Sequence, residues 1–229
     1  MVAQGNTIGV LLLEFQSAPE HRYEFANESF RDTHQPLAIS AASQIALSLA
    51  SLQLRESLRE QSIRDPLTRL FNRRFLEESF ERELQLADRK KQSVAVLFLD
   101  LDHFKRFNDT FGHDAGDLVL QSLADQLRNF FRATDLCCRY GGEEFAIILP
   151  EATSKDAAIR ANTLRLEVKS LRLQYKKQSL GQLTLSVGVA AFPENGSTSS
   201  ELLKIADQCL YESKERGRDV VTVPSTQNA

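Results

Sequence analysis

Val94-Ala95-Val96-Leu97-Phe98-Leu99 is apolar at every position and runs straight into Asp100-Leu101-Asp102. A strand apolar on both faces is buried on both faces, so this stretch predicts the centre of a sheet covered by helices on each side. The two aspartates then stand at its carboxyl end, on one side, because side chains alternate with period two.

Working outward, residues 73 to about 90 carry Leu76, Phe80, Leu84 and Ala87 on one helical face. Asp117 to Phe131 repeats that pattern with Leu120, Leu123, Leu127 and Phe130, after a polar connection read as turn and cap residues. Leu136-Cys137-Cys138 and Phe145-Ala146-Ile147-Ile148-Leu149 flank Arg139-Tyr140-Gly141-Gly142-Glu143-Glu144, which predicts a hairpin whose glycines supply positive φ. Thr153 or Ser154 opens another helix, and Leu183 to Val189 alternates strictly, as a strand with one covered face does. Thr198-Ser199-Ser200-Glu201 is a capping box for a last helix, with a further strand expected at Val220 to Val223. From residue 73 the order is therefore α-β-α-β-β-α-β-α. That is an α+β domain with a mixed sheet and packed helices.

A Gly-Gly turn is ordinary, but two adjacent glutamates at the start of an apolar strand repel each other. If the hairpin neighbours the central strand, Glu143 and Glu144 meet Asp100 and Asp102 at one end of the sheet. Hard oxygen ligands of this kind suit Mg²⁺ or Mn²⁺, and bare backbone at Gly141 and Gly142 suits the approach of a phosphorylated ligand. Lys105, Lys214 and Arg218 supply cations, although the last two also complement a helix C-terminus. Asn108, Asp109, His113 and Asp117 offer the mixed donors and acceptors that read a purine base.

Several ordered segments together carry a resemblance. They are Asp65-Pro66-Leu67-Thr68, Asp100 to Lys105, Asn108-Asp109, Gly112-His113, Gly116-Asp117, Arg139 to Phe145, Ser186 to Val189 and Lys214 to Arg218. Residues 65 to 224 resemble a GGDEF-domain diguanylate cyclase, whose fold is similar to the palm of nucleotidyl cyclases and polymerases. The resemblance implies condensation of two GTP into cyclic di-GMP with release of two pyrophosphates, by attack of each 3′-hydroxyl on the other nucleotide's α-phosphate within a homodimer. By position it implies metal ions held by Asp100, the Leu101 carbonyl and Glu143, with Glu143 also the base; Glu144 is open between metal contact and base. It implies guanine recognition by Asn108 and Asp117 with His113 nearby, and phosphate contacts from Lys105, Lys214 and Arg218.

Arg132-Ala133-Thr134-Asp135 resembles the family's RxxD site for inhibition by its own product. Thr163 stands where a second arginine would help, with Arg160 and Arg165 as substitutes. The family's final Gly-Arg-Asn is Gly217-Arg218-Asp219 here. The alternative to the enzyme is a catalytically silent receptor for cyclic di-GMP or GTP, acting through protein interaction.

Upstream, residues 7 to 15 read as a buried strand and residues 36 to 64 as a linker helix. That helix is either a two-stranded coiled coil or packed on its own domain. The first fifty residues resemble the C-terminal part of a GAF sensor domain, and residues 225 to 229 are expected to be a disordered tail.

The chain has 229 residues and a net charge of -3, with 26% charged residues, a balance that gives no electrostatic argument for a nucleic acid polymer or a membrane. The longest uninterrupted apolar runs are far shorter than the roughly 20 residues that span a bilayer, so no membrane segment is expected. Cys137, Cys138 and Cys209 read as reduced thiols of a cytoplasmic protein.

Overall fold

A computed structural model describes residues 2–3, 6–7 and 26–224, which divide into two units at residues 62 and 63. In the first unit, β1 (Val2–Ala3) pairs antiparallel with β2 (Asn6–Thr7), and α1 spans Ala26–Ile63. The helix starts earlier than the sequence predicts and carries Pro36 inside it. Exposed Leu37, Leu47, Leu54 and Leu58 fit the a and d positions of one heptad register, but the likewise exposed Ile39, Ile45, Leu49 and Leu52 fall outside it, so the apolar residues form no single stripe. By length and composition alone, Pro36–Glu60 qualifies as a stretch able to cross a membrane. A search for unbroken apolar runs overlooks it, because serines and glutamines interrupt the leucines. Gly9 to Phe25, where most of the GAF-like resemblance falls, and residues 225–229 lie outside the described residues.

The second unit opens with a turn. The Asp65 carboxylate accepts the Thr68 N–H at 2.8 Å and the Thr68 hydroxyl at 2.7 Å, and Pro66 prevents continuation of the helix. The elements that follow are β3 (Phe71–Asn72), α2 (Arg73–Lys90), β4 (Val94–Leu101), α3 (Phe104–Phe111), α4 (His113–Phe130), β5 (Leu136–Arg139) and β6 (Glu144–Pro150). Then come α5 (Ser154–Ser170), β7 (Gln174–Tyr175), β8 (Gln178–Ser179), β9 (Leu185–Phe192), α6 (Ser199–Glu215) and β10 (Val221–Thr222).

β4 is the centre of a six-stranded sheet ordered β10-β9-β4-β6-β5-β3, and it runs antiparallel to both neighbours. All eight of its residues are buried. Period-two alternation sends Leu97 and Leu99 to one core, with Leu123, Ile147 and Val187, and sends Val96 and Phe98 to the other, with Phe80, Ile148 and Leu210. Each such side chain contributes roughly 1.5–3 kcal/mol by leaving water, which is why the continuous apolar run dictates a two-sided sheet. The second layer needs close backbone contact: a Cβ on Gly188 would sit 1.9 Å from the Ala206 carbonyl oxygen, so a side chain there would push α6 off the sheet.

Both predicted helix starts on α5 and α6 carry capping boxes, Thr153 with Asp156 and Thr198 with Glu201. Three expectations are corrected. β9 is covered on both faces rather than one, with Leu185 to Ala191 all buried. The polar connection is not a loop: α3 occupies Phe104–Phe111 and α4 begins at His113 rather than Asp117. Gly141 and Gly142 do not have positive φ, which among the described glycines belongs to Gly112, Gly181 and Gly217. The reversal is spread over a longer turn, in which the Tyr140 and Gly141 N–H groups both donate to the Glu144 carbonyl at 2.8 and 3.2 Å.

Candidate active site

The end of β4 and the β5–β6 hairpin are adjacent through the sheet register, Asp100 opposite Glu144, with the Leu101 N–H donating to the Glu143 carbonyl at 3.4 Å. Asp100 is buried, and its carboxylate pairs with the Lys214 ammonium at 2.8 Å. Burial pushes the Asp100 pKa up; Lys214 opposes the shift, and the Asp102 charge adds to it. Glu143 is also pushed up, by burial first and then by the charge of Asp100. Two carboxylates raised by burial and by the charge of a neighbouring carboxylate form a site that a divalent cation would relieve, and oxygen donors are the type Mg²⁺ and Mn²⁺ take. Among the described residues no group of three His, Cys, Asp or Glu side chains converges, so the remaining ligands would come from backbone, water or substrate.

Asp102 has a different task from Asp100. One of its oxygens accepts the Ser186 hydroxyl at 2.6 Å and the other accepts the Asp219 N–H at 3.1 Å, so it joins β4 to β9 and to the loop after α6. Glu144 stands directly opposite Asp100 in the β4–β6 register. Its carboxylate folds back over Gly141, 2.5 Å from where a Cβ would lie, and it lines a cavity of ≈ 780 Å³ with Arg73, Glu77, Tyr140, Lys204 and Asp207. Gly142 meets nothing within 4 Å and leaves open space at the turn.

Lys105 is exposed on the first turn of α3, and Arg218 is exposed beyond α6, close enough to Asp100 to lower its pKa. Asn108 lies on α3, while His113 and Asp117 lie on the first turns of α4. The Asn108 Oδ1 is buried without a hydrogen-bond partner. It is packed over Gly116, where a Cβ would come within 1.9 Å, so the glycine makes room for the amide. An unpaired buried acceptor is costly and suits a ligand bringing an N–H donor.

The RxxD pair sits at the other end of β5, roughly 13 Å from the hairpin at 3.3 Å per residue. Asp135 is buried and accepts the Arg132 N–H at 2.9 Å, while the Arg132 side chain is exposed. The Arg160 guanidinium also binds Asp135 and lies over the Phe131 ring. Arg165 does not join them. It reaches Asp219 instead, so of the two expected substitutes for Thr163 only Arg160 stands at this site. A cavity of ≈ 250 Å³ beside it is lined by Arg64, Arg128, Arg132 and Phe71.

Sequence reasoning missed the pairing of Lys214 with Asp100 and the role of Gly116. It also missed Arg139, whose guanidinium bonds both the Gly142 carbonyl and Asp65. The Phe104, Phe107, Phe111 spacing was the available signal for α3, since those rings pack successively on one another.

Comparison with known proteins converges on one family. The family described as "Diguanylate cyclase, GGDEF domain" matches residues 62–220. The response regulator PleD of Caulobacter vibrioides is 40% identical over 164 residues, covering 71% of this chain and 36% of PleD. The diguanylate cyclase DosC of Escherichia coli is 39% identical over 183 residues, covering 80% of this chain and 39% of DosC. The chain thus spans well under half the length of these relatives. Among solved structures, the coiled coil and GGDEF domain of DgcB from Caulobacter crescentus, in complex with c-di-GMP, has a TM-score of 0.76 at 32% identity, covering 82% of this chain and 99% of that one.

Proposed function

The chain belongs to the GGDEF diguanylate cyclase family, and from that premise we propose that it is an active cyclase. It would condense two GTP molecules into cyclic di-GMP in a homodimer, each protomer holding one nucleotide. The observation that carries this reading is the convergence of Asp100, Glu143 and Lys214 at the hairpin end of β4. A silent receptor has no use for a buried Asp100 and a half-buried Glu143 whose charges repel beside a bare glycine turn.

Asn108 and Asp117 read guanine: the unpaired Asn108 Oδ1 accepts an N–H from the base edge, and His113 lies near the nucleotide. Lys105, Lys214 and Arg218 balance the triphosphate charge. Asp100, Glu143 and the Leu101 carbonyl would hold a divalent cation, Mg²⁺ or Mn²⁺, which would supply polarisation of the α-phosphate and screening of its charge. Glu143 takes the proton of the 3′-hydroxyl as general base. The 3′-oxygen then bonds to the partner nucleotide's α-phosphorus, and pyrophosphate leaves. The acceleration comes from positioning and from charge stabilisation. Glu144, packed on Gly141 and facing the α2–α6 cavity, shapes the turn in this reading rather than accepting the proton.

Arg132 and Asp135 form the product-inhibition site, with Arg160 completing it in place of Thr163. The test is incubation of the purified chain with GTP and Mg²⁺ followed by chromatography. Cyclic di-GMP is the expected product, and GTP recovered intact from a folded dimer rejects the enzyme in favour of the receptor.

A further inference from the structure

We infer that Asp219 is a positioning residue, one that fixes the backbone of the Arg218 loop to the end of the central strand through Asp102 and so aims Arg218 at the substrate's phosphates. The inference rests on the cyclase reading only in taking Arg218 as a phosphate ligand.

The loop is in an unfavourable conformation. Gly217, Arg218 and Asp219 follow one another with φ of 104°, 67° and 51°. Left-handed backbone is routine for glycine but costly for two consecutive side-chain-bearing residues, and it persists only where the surroundings over-determine it.

Asp219 supplies those surroundings. Its Oδ1 accepts from the Arg165 Nη1 at 2.6 Å and its Oδ2 from the Lys169 Nζ at 2.5 Å, two cations one turn apart on α5. Its own N–H donates to the Asp102 Oδ2 at 3.1 Å, and the other Asp102 oxygen is held by Ser186 at 2.6 Å. A continuous chain of charge-assisted bonds therefore runs from α5 through Asp219 to the strand that carries Asp100 two residues earlier. Arg218 lies between the anchors, its N–H tied to the Ser213 carbonyl at 3.1 Å and its exposed guanidinium reaching the carbonyl of Lys214, the residue that pairs with Asp100, at 3.5 Å. Burial pushes the Asp219 pKa up, but the Lys169 and Arg165 hydrogen bonds outweigh it and the group stays ionised. An asparagine, as in the family motif, offers one neutral oxygen where two cations converge, so the aspartate is matched to Arg165 and Lys169 in this chain.

The test compares Asp219→Ala, Arg218→Ala and the double variant, reading KM and kcat for GTP, calorimetric affinity for GTP with Mg²⁺, and melting temperature. Asp219→Ala should raise KM about tenfold with kcat within about twofold, the size of one lost charge-assisted contact. Asp219→Asn should lose less, about threefold, as a partial rescue. The double variant should be no worse than Arg218→Ala, because Asp219 acts through Arg218. If Asp219→Ala does not fold, Arg165→Ala with Lys169→Ala removes the anchors and should raise KM alike. An unchanged KM with a lowered melting temperature, or additive losses in the double variant, overturns the inference. Should the wild-type chain bind GTP yet form no product, the cyclase reading fails while the affinities still decide the role of Asp219. A wild-type chain that binds no GTP overturns both.

Discussion

Arg139, the last residue of β5, pairs with Asp65 at 3.1 Å and with the same guanidinium donates to the Gly142 carbonyl at 2.8 Å. The turn that follows the linker and the turn that carries Glu143 are thereby tied by one side chain. Both partners are largely buried, with side-chain exposures of 16% and 17%, so neither is a freely solvated surface charge.

Removing either partner should loosen the hairpin. Arg139→Ala is expected to lower stability by about 1–3 kcal/mol, since it leaves the Asp65 charge without its cation, held only by Thr68, and removes the guanidinium from the Gly142 carbonyl. Denaturant unfolding at pH 7 measures it, and a loss under ~0.5 kcal/mol would mean the guanidinium is not a structural tie.

The same pair sets a pH dependence. Burial raises the Asp65 pKa, but hydrogen bonds from Thr68 and Arg139 bring it net below the ordinary carboxylate value. A depressed folded pKa contributes stability above the unfolded value of about 3.9, lost as pH falls through the folded pKa. The stability gap between wild type and Asp65→Asn should therefore be full near pH 7 and shrink below pH ~4. A gap that is constant down to pH ~3 would show that ionisation of Asp65 contributes nothing.

Gly116→Ala should cost nucleotide binding more than stability. The new methyl would meet the Asn108 Oδ1 at 1.9 Å and turn the amide aside. GTP affinity is expected to fall at least about tenfold, one good hydrogen bond to a base edge being worth 1.4 kcal/mol or more. Calorimetry with retained GTP affinity would remove Asn108 from guanine recognition.

For the product site, Arg132→Ala should abolish saturable cyclic di-GMP binding outside the active site. Arg160→Ala should weaken it, because Arg160 holds the buried Asp135 carboxylate in place. Isothermal titration of the two variants reads both effects. Unchanged binding in Arg132→Ala would remove the RxxD pair from regulation.

How far the sequence carried the account depends on whether a feature is local. β4 was legible because seven of its eight buried positions are apolar, with Asp100 the one exception near its end, and the α6 start was legible because Thr198 and Glu201 are three residues apart. α3 was not, since its N-cap, His103, is left-handed and makes no side-chain cap, so the usual start signal is missing. The two-residue strands β3, β7 and β8 are too short to show any period. In the site, Asp100 and Glu143 could be named from their places at element ends. The pairing of Asp219 with Arg165 and Lys169 spans 54 and 50 residues and could be found only in three dimensions. For the same reason Arg160 and Arg165, five residues apart on one helix, looked interchangeable although they serve different sites.

The central claim is that Asp100 and Glu143 make this chain a catalyst, and Glu143→Gln tests it most directly. The substitution keeps the shape of the side chain and removes its charge and its proton-accepting oxygen. Turnover of GTP to cyclic di-GMP, followed by chromatography beside wild type, should fall at least a hundredfold, the usual scale for losing a general base, with the melting temperature unchanged or raised as the repulsion from Asp100 disappears. A wild-type chain that makes cyclic di-GMP and a Glu143→Gln chain that makes it as fast would contradict the account.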